Sequence, residues 1–331
     1  MTISSYIIDN GTIRPINIIS EAISIRNEMK TNQEKYLWIH ANEIEDIFPL
    51  QDMFGLHPLT VEAVLHENQP SKIEEYDRYI FAIIDGIVEE DNSKNKTKEE
   101  NISKDKKLSS DMIVEDDLYM FLEKRWIITL NFHNYNLEEN IKKNIKTIMQ
   151  QTKPSSLYTS TATTFSTGKD SFDNNKRDIL KKNELIFRLA LEEMIQSYYP
   201  ILDNMSKDLE QTEDDILDEN IRNSNKNTKY QLSRILLLRK KISFIERTLG
   251  MISRAIQDFV NRNNIINNSS NKIFNTDHIS DALSRTSSSN ISQTLLNPDS
   301  IRHMHSLNDR IRYLRNDVEN MHQRIISLRE T

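Results

Sequence analysis

The sequence predicts an α/β protein with appended long helices: an α/β/α layered mixed sheet, then three long helices ending in a coiled-coil-like stalk helix. Three observations predict it. Short apolar runs rich in β-branched and aromatic residues, such as YLWIH from Tyr36 and WIITL from Trp126, fall within the first 150 residues. From Asp178 onward apolar residues recur at steps of three and four. The 331 residues include only 5 Gly, which disfavours a loop-rich β protein.

The totals narrow the function classes. Apolar residues make up 37% and charged residues 28%, so part of the chain is expected to stay solvated rather than packed. A net charge of −7 argues against a general nucleic-acid binder. The absence of cysteine removes disulfides, thiolate metal sites and Cys nucleophiles. The first twenty residues lack the basic start and apolar run of a secretory signal, and no window offers 18 uninterrupted apolar residues for a membrane helix. The chain as given is expected to be soluble.

The first 150 residues read as the α/β/α part. Tyr6–Ile8 suggests an early strand and Ile19–Met29 a helix. Tyr36–His40 is a strand bounded by polar residues, and Ile44–Met53 a helix. Pro58 suits the first turn of the next helix, where a missing N–H is harmless, and Pro70 sets its latest end. A tight polar connection then leads to Tyr79–Val88, a strand apolar enough to be covered on both faces. Residues 89–112 hold almost no apolar side chain and read as a disordered insertion. Leu118–Leu122 and Trp126–Leu130, joined by Glu123–Arg125, read as a hairpin, and Leu137–Met149 as a helix.

Residues 151–177, rich in Ser, Thr and Asn, read as a linker. The 178–260 region reads as two long antiparallel helices, the first to about Asn220 and kinked near Pro200, the second from about Lys229 to Val260. Residues 261–299 read as an Asn/Ser-rich disordered insertion. The stalk helix spans 300–331, with a seam through Leu307, Ile311, Leu314, Val318, Met321, Ile325 and Leu328. No Gly or Pro stop follows it, so the chain is expected to be truncated before a membrane span.

No catalytic motif is present: there is no GxSxG, HExxH, EF-hand loop, Walker A or GxGxxG, and the chain reads as a non-enzyme. His57, Glu62 and His66 form the nearest approach to a ligand cluster. Glu62 and His66, four apart, read first as an exposed helical pair, with a shared cation as the alternative. The carboxylates Glu210, Glu213, Asp214, Asp215, Asp218 and Glu219 read as a solvated helix end or as a diffuse attractor of hard cations. His303, His305 and His322 are placed on the stalk surface without a role.

The block HPLTVEAVLHENQPSKIEEYDRYIF from His57 resembles the CorA family of divalent-cation channels. WIITL from Trp126, NELIFRLALEEMIQSYYPILDNM from Asn183, LSRILLLRKKISFIERTLGMI from Leu232 and LNDRIRYLRNDVENMHQRIISLRE from Leu307 follow in the family's order. The resemblance implies the cytosolic sensor and stalk of a transmembrane magnesium transporter, with cobalt or nickel as further cargoes. It implies a homopentamer on the cytoplasmic face of a membrane, attached through C-terminal spans that this sequence lacks. Mg²⁺ would be the transported or regulatory ion, with no organic cofactor and no nucleic-acid partner. Full-length members carry a Gly-Met-Asn motif at the pore mouth; it is absent here. Members also carry a Glu-Asp pair after HPL that senses magnesium between subunits. Here the pair is Glu62–Ala63, so only Glu62 carries over as a regulatory metal ligand. The acids that precede the aromatic of the first long helix are Gln196 and Ser197 here, which puts metal-dependent closing of the usual kind in doubt. The alternative function is a soluble helical scaffold or regulator that keeps the fold without a pore.

Overall fold

The computed structural model describes residues 3–9, 12–17, 21, 35–66, 69–89, 113–132, 136–151, 182–217, 225–274 and 296–330. Most of the expected helix at Ile19–Met29, residues 90–112 of the first insertion and nearly all of the 151–177 linker lie outside them.

The N-terminal half supplies strands β1 (Ser4–Asp9), β2 (Thr12–Ile16) and β3 (Tyr36–Ala41). After a short 3-10 turn at Ile44–Asp46 come helices α1 (Ile47–Phe54) and α2 (Pro58–Leu65). Strands β4 (Lys72–Glu75), β5 (Ile80–Ile84), β6 (Ile87–Glu89), β7 (Ile113–Glu115), β8 (Leu118–Leu122) and β9 (Trp126–Asn131) follow. The main sheet runs β2-β1-β3-β9-β8-β5-β4, and only β3–β9 is parallel. The polar connection after Pro70 is therefore an edge strand, β4, not a loop. Its alternation is too short to stand out in sequence, and β5 fixes it by pairing Ile73 with Ala82.

The single strand expected at Tyr79–Val88 is two strands. It bends at Asp85–Gly86, and its hairpin partner bends opposite at Asp116–Asp117. Gly86 and Asp116 exchange both backbone hydrogen bonds across the bend, at 3.1 and 3.0 Å. A Cβ at Gly86 would collide with Met194 and the Asp116 carbonyl, so the close approach requires glycine. At the end of α1, Gly55 adopts φ +64, and its N–H reaches the Gln51 carbonyl at 2.8 Å.

The remaining elements are helical: α3 (Leu137–Gln151), α4 (Lys182–Gln196), α5 (Tyr198–Leu217), α6 (Asn225–Phe274) and α7 (Pro298–Glu330). The kink expected near Pro200 is a full break at Ser197, which divides the first long helix into α4 and α5. Pro200 has no N–H for the Gln196 carbonyl four residues back, so the ladder opens there. The helix expected to end at Val260 continues through Phe274, into the stretch read as an insertion. That stretch holds Asn but no Gly or Pro until Pro298, and Asn weakens a helix without stopping it.

Side-chain alternation divides the sheet between two cores. Leu37, Ile39, Phe81, Ile83, Phe121 and Ile128 face α1 and α2. Trp38, Ile80, Ala82, Met120 and Ile127 face the other way, and their cluster continues without interruption along α3 to α7. Contacts from Arg188 to His303 and from Glu213 to Arg324 run α4–α5 parallel to α7. Contacts from Ser253 to Asn308 and from Glu246 to His322 run α6 antiparallel to α7. Leu238, Ile242, Ile245, Leu249, Ile252, Ile256 and Phe259 of α6 are buried, as are Leu307, Ile311, Leu314, Val318, Met321 and Ile325 of α7. Near the sheet, Arg262 donates to the Ile73 carbonyl at 2.8 Å and covers part of the β4 edge.

Candidate functional site

Helix α2 carries the residues singled out from sequence. His57 is its N-cap: Nδ1 accepts from the Leu59 N–H at 3.2 Å. The His57 N–H donates to the Tyr79 hydroxyl at 2.9 Å, and that hydroxyl lies 3.0 Å from Thr60 Oγ1. Pro58 then occupies the first helical position. His57 thus builds the turn, as its position before Pro58 suggests, and it does not join Glu62. Glu62 and His66 meet at 3.5 Å, with side chains 62% and 65% exposed, so water screens the pair. Ala63, where the family resemblance expects Asp, is buried against the sheet with Val61 and Val64. A carboxylate at this place in a lone chain would lose its hydration.

The other two departures sit at the α4–α5 break. Gln196 Oε1 accepts from Arg310 of α7 at 3.4 Å, and Ser197 Oγ donates to the Met194 carbonyl at 2.7 Å. The acidic run on α5 is partly neutralised from neighbouring helices. Arg324 grips Glu213 through both carboxylate oxygens, at 3.0 and 2.6 Å, and Arg234 lies 3.4 Å from both Asp208 and Asp215. Glu210 and Asp214 stay exposed, while Asp218 and Glu219 lie outside the described residues.

Two groupings were not singled out from sequence. The first is a set of acids at the bend of the long hairpin. Asp85 is 2% exposed, and its two carboxylate oxygens have no hydrogen-bond partner among the described residues. Burial pushes its carboxyl up to about 7, with the Glu115 charge adding to the shift. Burial likewise pushes Asp117 up to about 7, and the Asp85 and Glu115 charges add to it. The neighbouring Tyr198 hydroxyl donates to the Asp85 carbonyl at 3.0 Å, tying the start of α5 to the bend. The sequence signal was a lone acid inside an otherwise apolar run, IFAIIDGIV.

The second grouping lies beside the α6–α7 seam. Glu246, Glu319 and His322 present ligand atoms all within 4.8 Å of one another. Glu319 and His322 are three apart on α7, a spacing visible in the sequence, but the approach of Glu246 depends on how two helices are set against each other. A cleft of about 420 Å³ also opens between β4 and α6, lined by Lys72, Glu74, Arg254, Asp258 and Arg262. Its mixed charges, with Arg262 already spent on the sheet edge, favour no single ligand.

In a comparison with protein families, the CorA model, described as CorA-like Mg2+ transporter protein, matches residues 33–331. No curated protein sequence matches significantly. Among solved structures, the chain is similar to the complete CorA magnesium transporter from Methanocaldococcus jannaschii, at 13% identity and a TM-score of 0.59, covering 100% of this chain and 76% of that one. It is similar to the full-length CmaX protein at 12% identity and a TM-score of 0.57, covering 99% and 75%. It also matches the soluble domain of the Methanocaldococcus jannaschii CorA at 13% identity and a TM-score of 0.57, covering 98% and 95%. At these identities the likeness is one of fold, and it includes both the sheet and the long helices.

Proposed function

The chain belongs to the CorA-like Mg2+ transporter family, and on that premise we propose that it is the cytosolic sensor and stalk of a divalent-cation transporter. The observation that carries this reading is the family match itself, which runs from β3 through the sheet and along the whole of α7. The family is one of transporters, not enzymes. Among the described residues no helix is long and apolar enough to cross a membrane.

In this reading the cargo is Mg²⁺, with Co²⁺ and Ni²⁺ as further candidates, and copies of the chain assemble as a pentamer with α7 as the stalk. Exposed apolar side chains support assembly. Phe48, Leu59 and Leu65 stand out on α1 and α2, and Tyr313 and Ile326 on α7, where a neighbouring copy would cover them. Glu62 is the regulatory metal ligand that this reading retains. Its exposure leaves it available to a neighbouring subunit, but it has no acid at position 63 to help it, and Gln196 and Ser197 offer no charge. Cytosolic Mg²⁺ would therefore act on the assembly more weakly than in a member with the full acidic set.

Uptake of Mg²⁺ by transport-deficient cells expressing the complete native reading frame tests the cargo. Rescue that disappears when the stalk seam is disrupted supports the reading. An assembled, stable protein that moves no divalent ion would sink it and leave the scaffold alternative.

A further inference from the structure

The α6–α7 seam does more than join two helices. Ile245 and Leu249 of α6 and Val318, Met321 and Ile325 of α7 are buried along it. About one turn further along α6, Ser253 Oγ donates to Asn308 Oδ1 at 2.7 Å, which helps fix the register of the two helices. Beside this packed stripe stand Glu246, Glu319 and His322. Glu246 Oε2 is 3.9 Å from His322 Nδ1, beyond hydrogen-bond distance, and this is the one polar pairing Glu246 has among the described residues. Glu319 Oε1 accepts from Gln323 at 2.7 Å, which leaves the second oxygen for another bond. His322 is three-quarters covered, its side chain 24% exposed, so the imidazole is held in place rather than free in solvent.

We propose that Glu246, Glu319 and His322 bind a transition-metal dication of the Zn²⁺ or Co²⁺ type, tying α7 to α6. Ligand atoms around such an ion at about 2.1 Å stand roughly 3.4 Å apart in a tetrahedron. The 3.9 Å pair needs only a small side-chain adjustment to reach that spacing. One imidazole nitrogen with two carboxylates suits these ions, whereas Mg²⁺ and Ca²⁺ prefer oxygen alone. Three protein ligands leave a position for water. Because the ligands come from both helices, an ion here favours the packed arrangement of α7 over any in which it shifts along α6. The site is made by one chain and does not depend on the transport reading.

Titration of the purified 331-residue chain with CoCl₂ in millimolar MgCl₂, read by absorption and calorimetry, tests this. One Co²⁺ per chain is expected, with visible bands of a site of low coordination number. His322→Gln and Glu246→Gln should each weaken binding by at least about tenfold. A His303→Gln, His305→Gln double variant should bind as the parent does. Co²⁺ should raise the thermal midpoint of the parent but not of His322→Gln, and the helical circular dichroism of the metal-free variants should match the parent. No binding of Co²⁺, displacement by Mg²⁺, or unchanged affinity in both single variants would overturn the site. Each of these results concerns the isolated chain, so failed ion uptake by cells would leave the site untouched, and the reverse also holds.

Discussion

The two faces of the sheet are closed by different chemistry. On the α1–α2 face, aromatic rings do much of the packing: Tyr76 stacks on Tyr79 with centroids 5.4 Å apart, Phe81 meets Phe121 at 4.8 Å, and Phe54 meets Trp126 at 4.9 Å. Short helices suffice there, because large rings cover much area per residue and Tyr79 also supplies a hydroxyl that pins the start of α2. On the opposite face the packing is mostly aliphatic and does not stop at the sheet; the same cluster runs out along α6 and α7. The first face is a fixed lid. The second is a shaft, with ionisable groups at or beside its packing: Asp85 at the bend, and Glu246 with His322 beside the seam. A position singled out by resemblance and a position with room for chemistry therefore need not coincide. Glu62 belongs to the recognisable block and lies in open solvent, while the convergent groups lie on the shaft.

Variants test the difference between the two faces. The largest effect is expected on the shaft. Leu314→Asp buries a charge in the seam and should cost about 4 kcal/mol. Urea unfolding should show it, and a loss below about 1 kcal/mol would mean that the seam is not a load path of the fold. Asp85→Asn should act in the opposite direction. Burial holds this carboxyl near 7 in the folded chain, against about 4 when unfolded, so the folded state keeps its proton longer. Stability from this group is therefore greatest at acid pH and falls as pH rises from about 4 to about 7. Removing the charge should raise stability by about 2 kcal/mol at mildly alkaline pH and flatten the slope below it. Thermal melts across pH that leave the slope unchanged would refute the assignment.

Smaller effects are expected on the lid. Tyr79→Phe removes the hydroxyl shared by the His57 N–H and Thr60, and should cost about 1 kcal/mol with the aromatic packing intact. Hydrogen exchange faster in α2 than in the shaft would locate the loss. Glu62→Gln should change stability by less than about 0.5 kcal/mol, since its pair with His66 is exposed. A larger change measured in dilute, unassembled protein would show that Glu62 has a structural partner within its own chain.

Much of the architecture could be read from local patterns. The seam on α7 from Leu307 to Ile325 is buried residue for residue, because a helix face repeats whatever lies outside it. The hairpin of β8 and β9 and the helix start at Pro58 were equally legible, since each depends on neighbours within a few positions. Three features were not. Strand β4 has only four residues, KIEE, and the β5 edge decides its conformation. The long run from Tyr79 gave no sign of its bend beyond Asp-Gly, and the close approach of Met194 from a distant helix to Gly86 at that bend is a tertiary contact. The extension of α6 to Phe274 crosses residues whose composition looks like a loop, and composition reports propensity, which weighs little in a helix already started.

The class of fold, the order of its main elements and the apolar faces of its helices are legible in the sequence, because all of these are written in spacing along the chain. Which charged groups meet is set by the packing of distant elements. Glu246 and His322 are 76 positions apart in sequence and 3.9 Å apart in space, and the buried Asp85 sits at a bend that Tyr198, 113 positions away, holds by a hydrogen bond to its backbone carbonyl. Side-chain period fixes which way a residue points. What it points at depends on how independent helices and strands settle against one another, and that is set by the whole core at once.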